Sequence, residues 1–597
     1  MQYSTTARRR RTARSTRRRV RRSTSRSIRT RSDAGRITPS PSNRRCPSLK
    51  AGWSIGAMST DPGFDPKRAI EAGLRAVEQG RPKEGVQIAD ETLRRAGKYP
   101  GAYFLKAWAL RAMGEAEEAI VFARKAEKAG GRDPLTLNLL ALLYKEGGKY
   151  DLARRTWQDV LRKEPRALDA VLGIARLDRD LGRYDDAYAG FERALKMAPH
   201  HADTLASYAD AKARGGAYRE AGGLAAHALD HAPEHPLALA VWAGEALKTE
   251  TPETVISRLE AGLAAGKGNP ALRAQAIGRL GEALEKAGRY DDAFARFSEA
   301  NRMLYQSAIH AWGEMDYSLP HLVKLLTALR DVEPATLTGI EEKAPPPPVF
   351  LVGFPRSGTT LAAQILAGHD KVVLSDEREN AGAILEAAGR SAESWRDFLA
   401  MTDKRRTGLR RAYWKAARPE GPLTDGRVLI DKLPANLAMI AALGAVFPDA
   451  KFIVMTRDPR DAVLSAFKQR FEPNPSTVQF MTIDTAAAYY DASHRLLDAA
   501  QRLLPGLDIR LQSYEALAGS PEAEGRAMAE FAGLAWQDGM LDVSARAETA
   551  DIRTPSAPQL RETIEARSTG QWKPYASQMD GAVKVLTPWI ERWGVSG

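Results

Sequence analysis

Glycine recurs with a fixed step of 34 residues at Gly80, Gly114, Gly148, Gly182 and Gly216. Ala119, Ala153, Ala187 and Ala221 keep the same step, as do Tyr150, Tyr184 and Tyr218, and Pro165, Pro199 and Pro233. A repeat of this length is one supersecondary unit that cannot bury its own apolar face and must stack on its neighbours. The residue types fix what the unit is. Glycine allows a tight helix turn, alanine lets two helices approach, and proline stops the second helix. Roughly two fifths of the chain is thereby committed to a stack of helix pairs.

This pattern is the tetratricopeptide signature. The phase slips after Pro236, where Glu250 stands at the glycine position, and returns at Gly288-Arg-Tyr290-Asp-Asp-Ala293. One repeat between about 235 and 268 is therefore degenerate, and six or seven helix pairs are expected from about 65 to 305, stacked as a superhelix. Trp108, Trp157, Tyr184 and Phe191 fall on the apolar phase and are expected in the core. The concave face of such a stack suits a protein or peptide partner.

The formal charge of +14 suggests a nucleic-acid binder until it is located. The 17 Lys and Arg that precede Met58 face a single acid, Asp33, so this segment accounts for the whole excess and the remainder is slightly acidic. No nucleic-acid partner is expected for the folded body. Residues 1–57 lack apolar periodicity and are expected to be a disordered Arg-rich leader. They lack the apolar stretch of a secretory or twin-arginine signal, and share an Arg-rich, acid-poor composition with transit peptides and RNA-binding arms. The leading account is translation from upstream of the true start, since Met58-Ser-Thr-Asp opens an ordinary sequence. The sole cysteine, Cys46, lies in this leader, which excludes disulfides, Cys-ligated zinc and thiol catalysis from the body. No apolar run reaches the roughly 18 residues of a membrane span, and a cytoplasmic location is expected.

The repeats are expected over 58–305, with a helical connector and Pro-rich linker over 306–348, in which Pro345 to Pro348 form a stiff extended spacer. A second domain over 349–597 alternates apolar runs at Val349, Val372-Val-Leu374, Val428-Leu-Ile430, Phe452-Ile-Val-Met455 and Ile509-Arg-Leu511 with helical stretches. The fold class expected is an α-solenoid followed by a P-loop-like α/β domain with a parallel sheet and ligands at the carboxyl ends of its strands.

The first of these strands ends in Gly353-Phe-Pro-Arg356-Ser357-Gly358-Thr359-Thr360, a glycine loop opening a helix. Such a helix start offers N–H groups and the positive end of the macrodipole to an anion. The glycine spacing and the hydroxyl of Thr360 match a nucleotide-hydrolase loop, but Thr359 stands where the lysine belongs and the cation has moved to Arg356. A nucleotide donor is indicated, and ordinary ATP or GTP hydrolysis is not.

These residues resemble the 5′-phosphosulfate loop of sulfotransferases, P-[RK]-S-G-T-T, and the chain resembles the tyrosylprotein-sulfotransferase-like members that carry tetratricopeptide repeats. Thr456-Arg457-Asp-Pro459-Arg460-Asp-Ala-Val-Leu-Ser465 resembles the family's 3′-phosphate site. The resemblance implies 3′-phosphoadenosine 5′-phosphosulfate as co-substrate, its 5′ end on Arg356, Ser357, Gly358, Thr359 and Thr360 and its 3′-phosphate on Arg457 and Ser465. Leu374-Ser-Asp376-Glu377 follows a short strand where the family has a Glu-Glu pair, which makes Glu377 the general base, with Asp376 replacing the first acid. His369, just after the loop helix, is the second choice of base, as small-molecule sulfotransferases use histidine. Asp431-Lys432-Leu-Pro434 resembles N-K-x-P with Asp for Asn and implies that Lys432 stabilises charge on the sulfuryl group. Ser513-Tyr514-Glu515-Ala-Leu517 resembles Y-E-x-L and puts Tyr514 at the nucleotide. Arg553-Thr-Pro-Ser556 resembles the segment whose serine touches the donor, and Gly570-Gln571-Trp572-Lys573 the Gly-x-Trp-Lys element, with Gln571 where the tyrosylprotein enzymes have lysine. No metal is expected, since no His or carboxylate cage is read in the sequence. The acceptor implied first is a protein tyrosine; a carbohydrate or lipid hydroxyl, a kinase or NTPase of the same loop topology, and a non-catalytic nucleotide-binding scaffold are the alternatives.

Overall fold

The computed structural model describes residues 63–308, 317–337, 344–418, 426–546 and 569–595, apart from Gly131, Glu472 and Ala545. The repeat array consists of seven antiparallel pairs: α1 (Pro66–Glu78) and α2 (Pro82–Ala96), α3 (Pro100–Ala112) and α4 (Ala116–Gly130), α5 (Pro134–Glu146) and α6 (Tyr150–Lys163), α7 (Leu168–Asp180) and α8 (Tyr184–Met197), α9 (Ala202–Arg214) and α10 (Tyr218–His231), α11 (Pro236–Thr249) and α12 (Pro252–Ala264), α13 (Pro270–Lys286) and α14 (Tyr290–Ala308). The periodic glycines sit in the turns with φ between 69° and 87°, a region closed to most side chains. In the pair where the phase slips, Glu250 is extended and Thr251 caps α12 ahead of Pro252, so a capped Thr-Pro start replaces the glycine turn. Trp108, Trp157 and Phe191 are buried, and Tyr184 is half-buried. Trp157 explains Gly173, whose Cβ would lie 2.4 Å from the indole.

The chain continues through α15 (Leu319–Arg330) into a second layered unit: β1 (Val349–Gly353), α16 (Thr359–Ala367), β2 (Val372–Asp376), α17 (Gly382–Ala388), α18 (Ala392–Leu399), α19 (Asp403–Ala417), β3 (Val428–Lys432), α20 (Ile440–Val446), β4 (Lys451–Thr456), α21 (Pro459–Lys468), α22 (Ile483–Leu503), β5 (Asp508–Ser513), α23 (Tyr514–Gly519), α24 (Pro521–Phe531) and α25 (Asp580–Arg592). The strands form one sheet in the order β2-β3-β1-β4-β5, parallel at every pairing. Parallel strands need covered faces, and β1 and β4 are buried almost along their whole length. All five strands end at one edge. The segments following β1, β2, β3, β4 and β5 therefore open side by side.

The proline run lies on the second unit: the Pro345 carbonyl accepts from Arg410 at 3.1 Å and the Pro346 carbonyl from the Trp414 indole at 3.0 Å. The connector helix α15 packs against α22, and Arg502 reaches back to the Leu329 and Val332 carbonyls. The last repeat pair also meets α21. Asn301 donates to the Phe467 carbonyl at 2.8 Å, Arg470 pairs with Glu282 at 2.7 Å, and Glu285 accepts from both Lys468 and the Tyr575 hydroxyl. One apolar core runs from the fifth repeat pair through α22 to α25. Among the described residues no helix is long and apolar enough to cross a membrane.

Candidate active site

Arg356, Glu377, Lys432, Arg457 and Tyr514 each follow or end a different strand of the sheet, whereas Ser465 lies within α21 and His369 follows α16. The loop after β1 turns through Arg356 at φ 71° and Gly358 at φ 91°, then enters α16. Both loop glycines are dictated by what lies beside them. A Cβ on Gly353 would meet the Met455 carbonyl at 2.8 Å, and one on Gly358 would meet the Tyr514 ring at 2.5 Å. Ser357, Thr359 and Thr360 are buried.

The loop and the β4–α21 junction meet at Arg356. Its Nε donates to Ser465 Oγ at 3.1 Å, and Arg457 Nη1 donates to its carbonyl at 2.7 Å. Burial, reinforced by the neighbouring charge of Arg457, lowers the Arg356 guanidinium to about 10. A bound anion would offset both effects. Tyr514 lies over Gly358 and under the Arg457 guanidinium, 4.9 Å from its ring centre, a cation–π arrangement. Arg356, Gly358, Arg457, Ser465 and Tyr514 thus form one cluster, drawn from segments more than 150 residues apart.

A second cluster sits across β1, at the ends of β2 and β3. Asp376 pairs in register with Lys432, which puts both side chains on the same face. Lys432 is fully buried and forms ion pairs with Asp376 and with Glu377, the latter at 2.8 Å. Glu377 turns back with φ 50°, its N–H bonded to the Lys432 carbonyl at 2.8 Å. Among the described residues, two of the five non-glycine residues with positive φ are the loop cation and the candidate base. Such conformations persist where the surroundings enforce them and concentrate at functional sites.

The remaining candidates lie apart from these clusters or outside the description. His369 is buried at the end of α16, where its Nδ1 accepts the Lys371 N–H at 3.0 Å, a local capping role. Lys573 is exposed and its aliphatic chain folds back over Gly570. Ser556 lies outside the described residues.

Several residues that the motif reading passed over hold the site in shape. Glu515 accepts from the Asp458 N–H and the Ser513 hydroxyl, both at 2.9 Å, and so fixes Tyr514 between them. Asp461 accepts the Gly570 and Trp572 N–H groups at 2.6 and 2.9 Å, pinning the Gly-x-Trp loop to α21; burial raises its carboxyl while Arg457 opposes the rise. Arg460 makes a two-point contact with Asp458 and lies 4.0 Å from the Trp572 ring. Beneath the second cluster, Asp431 faces away from Lys432 and accepts on Oδ2 from Tyr413 and, at 3.1 Å, from Asn380, which also reaches Ser375.

Comparison with known proteins places this geometry. Residues 347–538 match the family model of sulfotransferases, and residues 68–175 match the tetratricopeptide region of the Psidin N-terminus. Over residues 347–538 the carboxyl-terminal part of the chain is similar to the sulfotransferase family. Among its relatives, an uncharacterized protein of Aquifex aeolicus is 26% identical over 53% of this chain and 41% of its own length. Protein-tyrosine sulfotransferase 1 of Danio rerio is 28% identical over 33% of this chain and 55% of its own, and protein-tyrosine sulfotransferase 2 of Gallus gallus 28% over 33% and 53%. The chain spans about half the length of these relatives. A tetratricopeptide repeat protein from Parabacteroides merdae aligns with 40% of this chain and 93% of its own at 16% identity and a TM-score of 0.32. The sulfotransferase match spans both clusters, from the β1 loop to Tyr514.

Proposed function

We propose that this protein transfers a sulfuryl group from 3′-phosphoadenosine 5′-phosphosulfate to an acceptor hydroxyl, with protein tyrosine as the first acceptor class. The observation that supports it most is the meeting of Arg356, Arg457, Ser465 and Tyr514 around the start of α16, within a stretch similar to the sulfotransferase family. The donor fits this chemistry: the loop opens α16, whose first N–H groups suit an anion, two guanidiniums offer charge-assisted contacts, and Thr359 removes the lysine of a nucleotide hydrolase. Arg356, Ser357, Gly358, Thr359 and Thr360 would hold the 5′ end, Arg457 and Ser465 the 3′-phosphate, and Tyr514 the space between.

In the reaction the acceptor oxygen bonds to sulfur, the bond from sulfur to the 5′-phosphate oxygen breaks, and adenosine 3′,5′-bisphosphate leaves. The acceptor proton goes to Glu377, since a phenol near pKa 10 needs a base as it attacks. Lys432, one contact from Glu377, offsets charge that develops in transfer. Ser556 and Lys573 remain candidates for donor contact, and we extend the proposal to a protein or peptide acceptor held by the repeats, in the cytoplasm. The boundaries proposed are a leader over 1–57, repeats over 58–305, a connector over 306–348 and the transferase domain over 349–597.

The test is transfer of label from sulfur-labelled donor to tyrosine peptides, oligosaccharides, lipids and a cell lysate by the full chain, with ATP as the competing nucleotide. Label on protein, stable to base and located on tyrosine by mass spectrometry, supports the reading. Label on sugar or lipid alone moves the acceptor, and no transfer to any class overturns the enzyme assignment.

A further inference from the structure

We propose that His200, His227 and His231 form a binding site for a divalent late transition ion, of the zinc class, on the outside of the repeat array. The three are all exposed, and their ligating nitrogens lie within 4.8 Å of one another. Ring centroids are 4.6 Å apart for His200 and His231, 5.2 Å for His227 and His231, and 5.9 Å for His200 and His227, with the rings mutually tilted rather than stacked. His227 and His231 are one helical turn apart on α10, the i, i+4 spacing that puts two imidazoles on one face. His200 comes from the turn that follows α8, so the set joins the fourth repeat pair to the fifth.

The repeat geometry independently explains why these side chains converge. Arg193 stands one 34-residue step before His227, and Pro165 one step before Pro199. Arg193 donates to the Pro165 carbonyl at 2.9 Å, so a side chain at this repeat position reaches over the preceding turn. His227 takes the same position over the turn that carries His200. The residues one step before His200 and His231 are Arg166 and Met197, so no histidine is called for by the repeat itself. Three of the chain's nine histidines have gathered at one junction.

Two other nearby histidines are occupied differently. His201 bonds the Thr204 hydroxyl at 2.8 Å, and His235 Nδ1 caps α11.

Three neutral imidazoles suit zinc, copper, nickel or cobalt, and leave a coordination position for water or another ligand. Zinc–nitrogen bonds of about 2.0–2.1 Å require nitrogens about 3.3 Å apart. Small side-chain rotations at an exposed surface close that gap. A bound ion would cross-link adjacent repeat pairs and stiffen the array between its fourth and fifth pairs.

The test titrates the full chain, stripped with a chelator, with Zn²⁺ at neutral pH by calorimetry. The expected result is one ion per chain with a dissociation constant of about 10 µM or tighter. His200→Gln should weaken binding at least about tenfold by removing one of three ligands, and His201→Asn, at the N-cap position of α9, should leave it unchanged. Circular dichroism confirms that each variant is folded. The ion should also raise the melting temperature of wild type and not that of the His200→Gln, His227→Gln, His231→Gln triple variant. No saturable binding up to about 100 µM, His200→Gln binding within about threefold of wild type, or an ion retained by the triple variant would each overturn the site.

Discussion

Asp431→Asn is the substitution whose consequence the structure fixes best. Asp431 is fully buried, and both of its donors, Tyr413 and Asn380, reach Oδ2; among the described residues Oδ1 has no hydrogen-bond partner. Burial raises the carboxyl from 3.8 to about 6, against the opposing effect of the two donors. The native protein therefore holds this proton more tightly than the unfolded chain does. The stabilising contribution of the protonated form is fully present below about 3.8 and is lost as the pH rises through about 6. At 1.36 kcal/mol per decade, the gap corresponds to about 3 kcal/mol.

Asparagine keeps the shape and the acceptor but never ionises. Its NH₂ at the Oδ1 position adds a buried donor without an acceptor, which costs about 1–3 kcal/mol at every pH. That offset is constant, so the informative quantity is the variant-minus-wild-type difference as a function of pH. Between pH 4 and 7.5 the difference should move roughly 2.4 kcal/mol in favour of asparagine, the rest of the gap lying below pH 4. For a domain of this size 1 kcal/mol shifts the melting temperature by roughly 2–4 °C. Thermal melts followed by near-ultraviolet circular dichroism should show a relative gain on the order of 5–10 °C across that range. A difference that stays within about 2 °C from pH 4 to 7.5 would refute the claim that Asp431 is a buried, destabilising carboxylate near neutrality.

Adenosine 3′,5′-bisphosphate should bind more tightly than adenosine 5′-phosphate by about 2–3 kcal/mol, and Arg457→Ala should remove that preference; equal affinities by calorimetry would remove the 3′-phosphate assignment. Glu377→Gln should cut transfer by roughly 10²- to 10⁴-fold with donor affinity unchanged, whereas Arg356→Ala should weaken donor binding and transfer together. If Glu377→Gln keeps more than about a third of the rate, His369 is the next base to test. Gly358→Ala should lose donor affinity and stability, since its backbone costs about 1–2 kcal/mol in the left-handed region and the new Cβ displaces Tyr514; adding Tyr514→Ala should recover part of the affinity, and an unaltered single variant would show that the ring is not fixed there. Glu282→Gln should lower the melting temperature at neutral pH, because Arg279 and Arg470 hold this carboxyl down to about 2 against the upward push of burial. That stabilisation is present above about 4.5 and is lost as the pH falls toward 2, so the deficit should shrink on acidification.

The array was legible because its constraints are local. A turn that needs positive φ demands glycine wherever it recurs, and the same demand appears every 34 residues. The slip at Glu250 was visible as a missing glycine, but the Thr251-Pro252 cap that replaces it is a different solution with no period to reveal it. The strands and the two strand-to-helix loops were legible for the same reason, since each is one short segment with its own pattern. What sequence could not supply is partnership across the fold. Glu515 bonds to Asp458, 57 residues away, and Asp461 to Gly570 and Trp572, more than 100 away. Nothing in the spacing of these residues marks them as pairs.

The Pro345 to Pro348 run, expected from residue type to be a stiff extended spacer, shows the difference most clearly. A proline run offers carbonyls without N–H groups, and here Arg410 and Trp414 on α19 use two of those carbonyls. Contacts of Glu282, Glu285 and Asn301 with Arg470, Lys468 and Phe467 then bring the last repeat pair against α21, the helix that also carries Ser465. The array is therefore packed on the helix that orders one side of the candidate donor site. A change at the Glu282 or Glu285 contacts has a direct physical route to Ser465 and, through it, to Arg356.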